Sequence, residues 1–486
     1  MTIPAITQTE LDGALGILPP ASGKLLAVIG VSSGGTVDTP ATYGNAKAMI
    51  ADLGVGPLVE AAARHIETTG DPVVIVRTAQ TTTGDMGTID DSGVAGTAQG
   101  SITQTAATEP LDDYEVVILI VTGGTTGTTG ITYKYSLDGG NNWSLEQALG
   151  TSLTLAISGT GVSFDIVTAK TFVAADTFNV VCTAPAPTAA ELGAAIDALK
   201  NSAVSWELCH IAAPVDATNF DTIETKFAAL QAAGKYRAWI GSVAVPTAAQ
   251  TEATYLTALT SAFAAKETIV GELCAGACNL ISSVSGRKYR RPVSFAVASL
   301  EASVAEHIDI ADVNLGSIKG CSIRDDNGNP DEHDETVNPG LDDLGFTVLR
   351  TWEGRGGVFV NVPNLFSAAD SDFDIMPKRR VMNLARAATR SYLERRLNQS
   401  ILVDPTTGFI LEAEALEIEA GGRAALQAVL GPAPKASSWS FVVARNDNIL
   451  STKTITVTVR VVPLGYVEAI DETIGFLNPA LQVQAA

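Results

Sequence analysis

The chain has 486 residues, with 53 Asp and Glu against 31 Lys and Arg, for a formal net charge of −22. Charged residues make up 17% and hydrophobic residues 46%, which excludes a disordered chain too poor in apolar groups to offset its ordering entropy. The acidic balance excludes general binding to nucleic acid and adhesion to anionic lipid, and the length suffices for about three domains.

The first twenty residues carry neither a basic n-region nor a long apolar h-region. No stretch approaches the roughly 20 apolar residues that span a bilayer, so the sequence predicts cytoplasmic synthesis without signal peptide or transmembrane segment. Five cysteines (Cys182, Cys209, Cys274, Cys278 and Cys321) and four scattered histidines give no disulfide framework and no zinc tetrad. No cofactor and no metal are expected.

In chain order, KLLAVIGVSSGG reads as a buried strand ending in glycines. A helix follows from about Gly56 to Glu67, with Leu58, Ala62, Ala63 and Ile66 at helical spacing, and then the strand DPVVIVRT. This is one βαβ unit. Its glycines Gly30, Gly34 and Gly35 do not fit G-x-G-x-x-G, so they predict a structural turn. From Thr78 the chain becomes rich in Thr, Gly and Ala and reads as a linker or exposed excursion. Residues 113–183 alternate in the manner of strands, with turn residues every 8–15 positions, as in a small β-sandwich. Thr188 and Glu191 then form a capping box that opens a helix.

Helix and strand alternate again to about residue 320. WELCHIAAP, YRAWIGSVAVP, ETIVGELCAG and RPVSFAVAS read as strands; FDTIETKFAALQAAG and AAQTEATYLTALTSAFAAK read as helices. The β unit is therefore expected to interrupt one α/β domain. The segment CSIRDDNGNPDEHDETVNPGLDDLG resembles a calcium loop, but Pro330 stands where the EF-hand pattern needs glycine. A solvated acidic connection is the expectation.

Ser136, Asp138, Gly140 and Trp143 match the S-x-D-x-G-x-x-W Asp-box found in sialidases and other propellers. It is a turn device, in which the carboxylate and glycines close a hairpin and the Trp packs beneath it. A propeller would repeat it, and this chain has one copy. A glycan-binding or sialidase-like surface protein built on this β unit is the rival functional class.

The window 378–396 holds Lys378, Arg379, Arg380, Arg386, Arg390, Arg395 and Arg396, opposed only by Glu394. At ~100° per residue, Arg379, Arg386 and Arg390 share one helix face, bordered by Asn383, while Val381, Leu384, Ala388 and Tyr392 lie opposite as the core stripe. A single-sign stripe on an acidic chain predicts contact with an acidic partner. Beyond it come a β segment, TTGFILEAEALEIE, a helix, AGGRAALQAVLG, and the alternating strand KTITVTVRVV. Both chain ends are apolar and unlike a compact core. They predict strands donated to neighbouring copies through Ile3, Ile6, Leu11, Tyr466, Val467, Ile470, Ile474 and Phe476.

GRGGVFVNVPNLFSAADSDFDIMPKRRVMNLARAATRSYLERRLN, followed by TKTITVTVRVVPLGYVEAIDETIGFLNP, resembles the tail sheath proteins of contractile bacteriophages and related injection machines. LLAVIGVSSGGTVDTP with LVEAAARHIETTGDPVVIVRT is similar to the opening of their α/β domain. The likeness covers about 24–78 and 345–480. It implies an α+β and α/β multidomain chain with a sheath-type core. In that division 1–23 is an N-terminal arm, 24–95 and 186–345 are the two parts of the α/β domain, and 96–185 is an outward-facing inserted β-sandwich. Residues 346–464 form a tube-facing C-terminal domain and 465–486 a C-terminal arm.

The resemblance further implies a non-enzymatic subunit that stacks as hexameric rings around a tail tube, linked by strand exchange, and contracts to drive the tube through an envelope. Baseplate and tail terminator proteins would be its other partners, and a virion tail its location. On this reading the tube contacts are Arg379, Asn383, Arg386 and Arg390. An exposed Cys182 is expected to be available for an inter-subunit disulfide.

Overall fold

Strand Leu26–Gly30 lies at the centre of a six-stranded sheet and is buried at every position. We describe it from a computed structural model covering residues 25–95, 98–106, 108–247, 249–324 and 331–476. The strand order is Gly271–Cys274, Ala238–Ser242, Leu208–Pro214, Leu26–Gly30, Val73–Arg77, Ala41–Tyr43, all parallel except the last. Parallel strands covered on both faces read as continuous apolar runs, as LAVIG and VVIVR do. Successive side chains divide between the faces: Leu26 and Val28 join one core with the helices Pro57–Thr69 and Ser294–Ser303. Ala27 and Ile29 join the other, with Ala189–Asn201, Ala217–Ala232 and Glu252–Phe263.

The local signals explain the ends of these helices. Thr188 and Glu191 make the expected reciprocal capping box, and Asp216 caps the amides of Thr218 and Asn219. The glycines after the first strand close a structural turn: a Cβ on Gly34 would stand 2.8 Å from the Asp52 carbonyl oxygen.

The inserted β unit has a larger and a smaller sheet around one core, with a two-stranded pair, Gly124–Thr125 and Thr171–Phe172, beside them. Its larger sheet runs Asp85–Met86, Thr177–Thr183, Tyr114–Thr122, Thr132–Ser136, Gln147–Ala148, and the smaller one Thr154–Ile157, Val162–Ile166, Ile102–Gln104. Its start differs from the expectation. Asp85–Met86 pairs with Cys182 and Thr183, and Thr82 bridges Ala186, so the stretch read as a linker before residue 96 already belongs to the insertion. Cys182 sits in this core at 1% exposure, so the expected exposed thiol is absent and the disulfide through it has no accessible sulfur.

Two further expectations are corrected. Of RPVSFAVAS, only Arg291 and Pro292 end a strand; from Ser294 it is the helix Ser294–Ser303, buried almost all round, because a short apolar run does not by its periodicity distinguish buried strand from buried helix. In the acidic segment, His333 and Asp334 are buried (4% and 1% exposed). Asp334 accepts hydrogen bonds from the amides of Thr336 and Thr351, both at about 3 Å, so this part is folded structure and not a solvated connection. Residues 325–330 of that segment lie outside the described residues.

The chain divides into two compact units, 1–399 and 400–486. The division differs from the expected boundary at 346. Leu349, Val358 and Val360 of the hairpin Leu349–Trp352/Arg355–Val360, with Met376, are buried in the same core as the parallel sheet, so residues 346–399 belong with the first unit. In the second unit, Glu412–Leu430 is one helix where a strand and a shorter helix were expected. Its alternating Glu, Ala and Leu favour helix, and glycine at 422 is required because a Cβ there would lie 2.5 Å from the Phe441 ring. Strand Val457–Val462 alternates half-buried and exposed as expected, and pairs antiparallel with Ser438–Val443.

Candidate assembly interface

Helix Met376–Glu394 begins on Pro377, whose missing N–H is one the first turn leaves unpaired in any case. Its cations are not equivalent. Lys378 reaches back to Asp374 at 2.6 Å. Arg380 points inward at 1% exposure and bonds Glu207 (2.9 Å), the Glu301 carboxylate (3.0 Å) and the Glu301 and Val304 carbonyls (2.8 and 3.2 Å). Burial raises the Glu301 carboxyl to about 7 against the pull of Arg380. Glu272, at 0% exposure beside it, is raised well above the usual range by burial and by Glu301.

Arg379, Asn383, Arg386 and Arg390 share one face as the spacing requires, but that face is not a free stripe. Arg379 is 1% exposed and Asn383 5%, which removes both from the expected surface contact with a tube in this conformation. Nε and Nη2 of Arg379 and both amide atoms of Asn383 are buried without a hydrogen-bond partner among the described residues. The Arg379 guanidinium lies 5.1 Å from the centre of the Phe373 ring, and burial, with neighbouring Arg386, lowers its pKa to about 10.

Arg386 is half-buried, stacked 4.0 Å over the Tyr236 ring and donating to Gln231 Oε1 at 3.0 Å. Arg390 is exposed and bonded to Glu394 at 2.7 Å. Of the expected core stripe opposite, only Val381 is fully buried; Leu384, Ala388 and Tyr392 are half-buried. The ion pairs of Arg380 with Glu207 and Glu301 set the rotation of the helix, and they draw the Arg379 side inward.

The arm residues divide at the limits of the described chain. Ile3, Ile6 and Leu11 lie outside the described residues. Tyr466 is half-buried, while Val467, Ile470, Ile474 and Phe476 are exposed (78%, 83%, 82% and 109%) on a segment without helix or strand. Among the described residues, the sheet of Ser438–Val443 and Val457–Val462 has two strands only, so each has one unpaired edge.

The Asp-box residues form a turn. Ser136 Oγ donates to Asp138 Oδ1 at 2.7 Å and accepts from the Gly140 amide at 2.9 Å. Asn142 donates to both Asp138 oxygens, at 2.8 and 2.7 Å, and the Lys288 amide donates to Oδ2 at 3.3 Å. Burial would raise this carboxyl, but the bonds from Asn142 and Ser136 hold it below its ordinary value. Trp143 is 41% exposed, and a Cβ on Gly140 would stand 3.5 Å from the edge of its ring. Asp138 is therefore buried and committed to a joint with the hairpin Ala277–Ile281/Lys288–Pro292.

Sequence reasoning missed the second part of that joint. Arg291 of the hairpin is 2% exposed and grips Asp112 bidentately at 2.6 and 2.7 Å, with Asp113 at 3.2 Å, while Tyr289 enters the insertion core. No local pattern marks a partner 179 residues away. Among the described residues no group of three or more His, Cys, Asp or Glu could hold a metal ion, and no helix is long and apolar enough to cross a membrane.

A family model described as DUF2586, N-terminal domain, matches residues 3–362. No curated protein matches the chain. Among solved structures, a chain of the anti-feeding prophage (AFP) baseplate, 6-fold symmetrised, matches with a TM-score of 0.53 at 10% identity over 98% of this chain and 100% of that one. A chain of the AFP helical sheath in its contracted state matches with a TM-score of 0.50 at 11% identity, over 98% and 99%. The contracted PVC sheath complex of an extracellular contractile injection system gives 0.50 at 10%, over 99% of both chains. The fold is that of contractile sheath chains, shared along nearly the whole length.

Proposed function

We propose that this chain, which belongs to the DUF2586 family, is a structural sheath subunit that polymerises as stacked hexameric rings around an inner tube and contracts to drive that tube through a cell envelope. The observation that carries the reading is the end-to-end likeness to sheath chains of contractile machines, with no large part of the fold left over on either side. The open edges of the two-stranded sheet and the exposed apolar segment 466–476 support strand exchange between copies, with 1–23 and 465–486 as arms. In this reading the arginine helix meets the tube through its exposed end, at Arg390, and not through Arg379 or Asn383. A baseplate and a tail terminator close the two ends of the sleeve, and the particle is assembled in the host cytoplasm.

Negative-stain images of the purified full-length protein test this. Sleeves with six-fold cross-sections are expected; a discrete monomer that binds or cleaves saccharide refutes the reading in favour of the glycan-binding class.

A further inference from the structure

Arg379, Asn383 and Arg386 form a polar cluster that the fold leaves incomplete. On one face of one helix it places two guanidinium groups and a carboxamide, yet none of the three makes an ion pair with a carboxylate among the described residues. Four polar atoms, Nε and Nη2 of Arg379 with Oδ1 and Nδ2 of Asn383, are buried and unpartnered. A buried charge without a counter-charge is among the costliest arrangements in a protein interior and is ordinarily relieved by an opposite charge. The neighbouring cations on the same helix show the contrast, because Lys378, Arg380 and Arg390 each have their carboxylate. Arg386 is the accessible member: it is half-buried, with its ring partner Tyr236 on one side. Phe373 and Tyr236 give the cluster apolar walls.

The same chain carries a segment of matching character. Residues 464–476, LGYVEAIDETIGF, hold Glu468, Asp471 and Glu472, all exposed and without an ion pair among the described residues, beside exposed Val467, Ile470, Ile474 and Phe476. Three carboxylates without an ion pair on an apolar segment complement two guanidiniums without an ion pair beside aromatic rings, all among the described residues.

We propose that Arg379, Asn383 and Arg386 form a carboxylate-receiving site whose occupant is the acidic C-terminal segment of a second copy of this chain. The proposal rests on the self-assembly reading above and gives that assembly a charge lock separate from strand pairing. Arg386 captures the carboxylate at the mouth, and Arg379 and Asn383 supply the donors behind it.

The test uses the full-length chain and a synthetic peptide of residues 464–476. The peptide binds the unassembled chain, and a version with Lys at 468, 471 and 472 binds about tenfold more weakly or worse. Arg386→Glu lowers both peptide binding and polymer yield by about tenfold, and adding Asp471→Arg and Glu472→Arg to that chain restores the yield. Arg379→Met keeps or raises the melting temperature of the unassembled chain while weakening the peptide; a purely structural arginine would lower the melting temperature and leave the peptide unaffected.

Equal binding of the two peptides overturns the proposal, as does an Arg386→Glu chain that polymerises like wild type. A wild-type chain that binds the acidic peptide but never polymerises retains the site and overturns the sheath reading instead. The peptide measurement decides the question even where a variant fails to fold.

Discussion

Replacing Arg291 with Met removes the guanidinium that joins the insertion to the parallel-sheet body. Its partner Asp112 has a side chain only 3% exposed, Arg291 itself is at 2%, and the pair is bidentate at 2.6 and 2.7 Å. Glu60 stands in the same field: burial raises it to about 7 against the opposing pull of Arg291. Arg291→Met therefore leaves Asp112 buried beside Asp113 and Glu60 with no cation. Breaking one side of such a pair costs about 3–5 kcal/mol, because the penalty is the orphaned charge and not merely the lost attraction. The double variant Arg291→Met with Asp112→Leu has no orphan at that position, and recovers to within about 2 kcal/mol of the wild type.

The deficit of the single variant should also shrink in acid. Burial raises the folded Glu60 and Asp113 carboxyls, and without Arg291 the opposing charge is gone, so they cost nothing below about pH 4 and progressively more as the pH rises. Calorimetry from pH 5 to 8, with hydrogen exchange of strand 288–292, measures both effects. A single variant within about 1 kcal/mol of wild type, with unchanged exchange at that strand, would falsify the clamp.

Three other outcomes are expected. His333 is 3% exposed between Glu335 (2.9 Å) and Glu252 (3.1 Å); burial lowers its pKa, but the two carboxylates prevail and bring it to about 9. Its contribution, roughly 3 kcal/mol at most, is complete below pH ~6.5 and gone above pH ~9, so melting temperature should fall across that window and His333→Gln should flatten the fall. Gly422→Ala places a Cβ 2.5 Å from the Phe441 ring, so it should destabilise the 400–486 unit by about 1–3 kcal/mol despite alanine's better helix propensity, as urea titration would show. Asp138→Ala removes the acceptor of the Asn142 and Lys288 amides, and should loosen that joint by about 1–2 kcal/mol in thermal melts while leaving polymerisation intact.

The body sheet was legible because LAVIG and VVIVR are apolar at nearly every successive position, as strands covered on both faces are, and Thr188 with Glu191 states its own cap. The misread segments share a cause. SFAVASLEAS is buried almost all round, and its run of small and apolar residues lacks the period that separates helix from strand. FILEAEALEIE alternates like a strand at its start, but from Glu412 its Glu, Ala and Leu favour helix, and the helix runs on to Leu430. On the arginine helix the spacing gave the face correctly but not its direction. That depends on Glu207 and Glu301, each more than seventy positions away from Arg380.

Among the described residues, Ser438–Val443 and Val457–Val462 leave a main-chain edge open on either side, and under the proposed assembly this bears on how a solution of the chain behaves. A two-edged ribbon is a template, so association should show a lag, respond to added seeds and depend steeply on concentration. Under the proposed assembly, spontaneous pairing of lone copies is expected to be slow to start. A preformed ring that presents many such edges at once would set where and when growth begins.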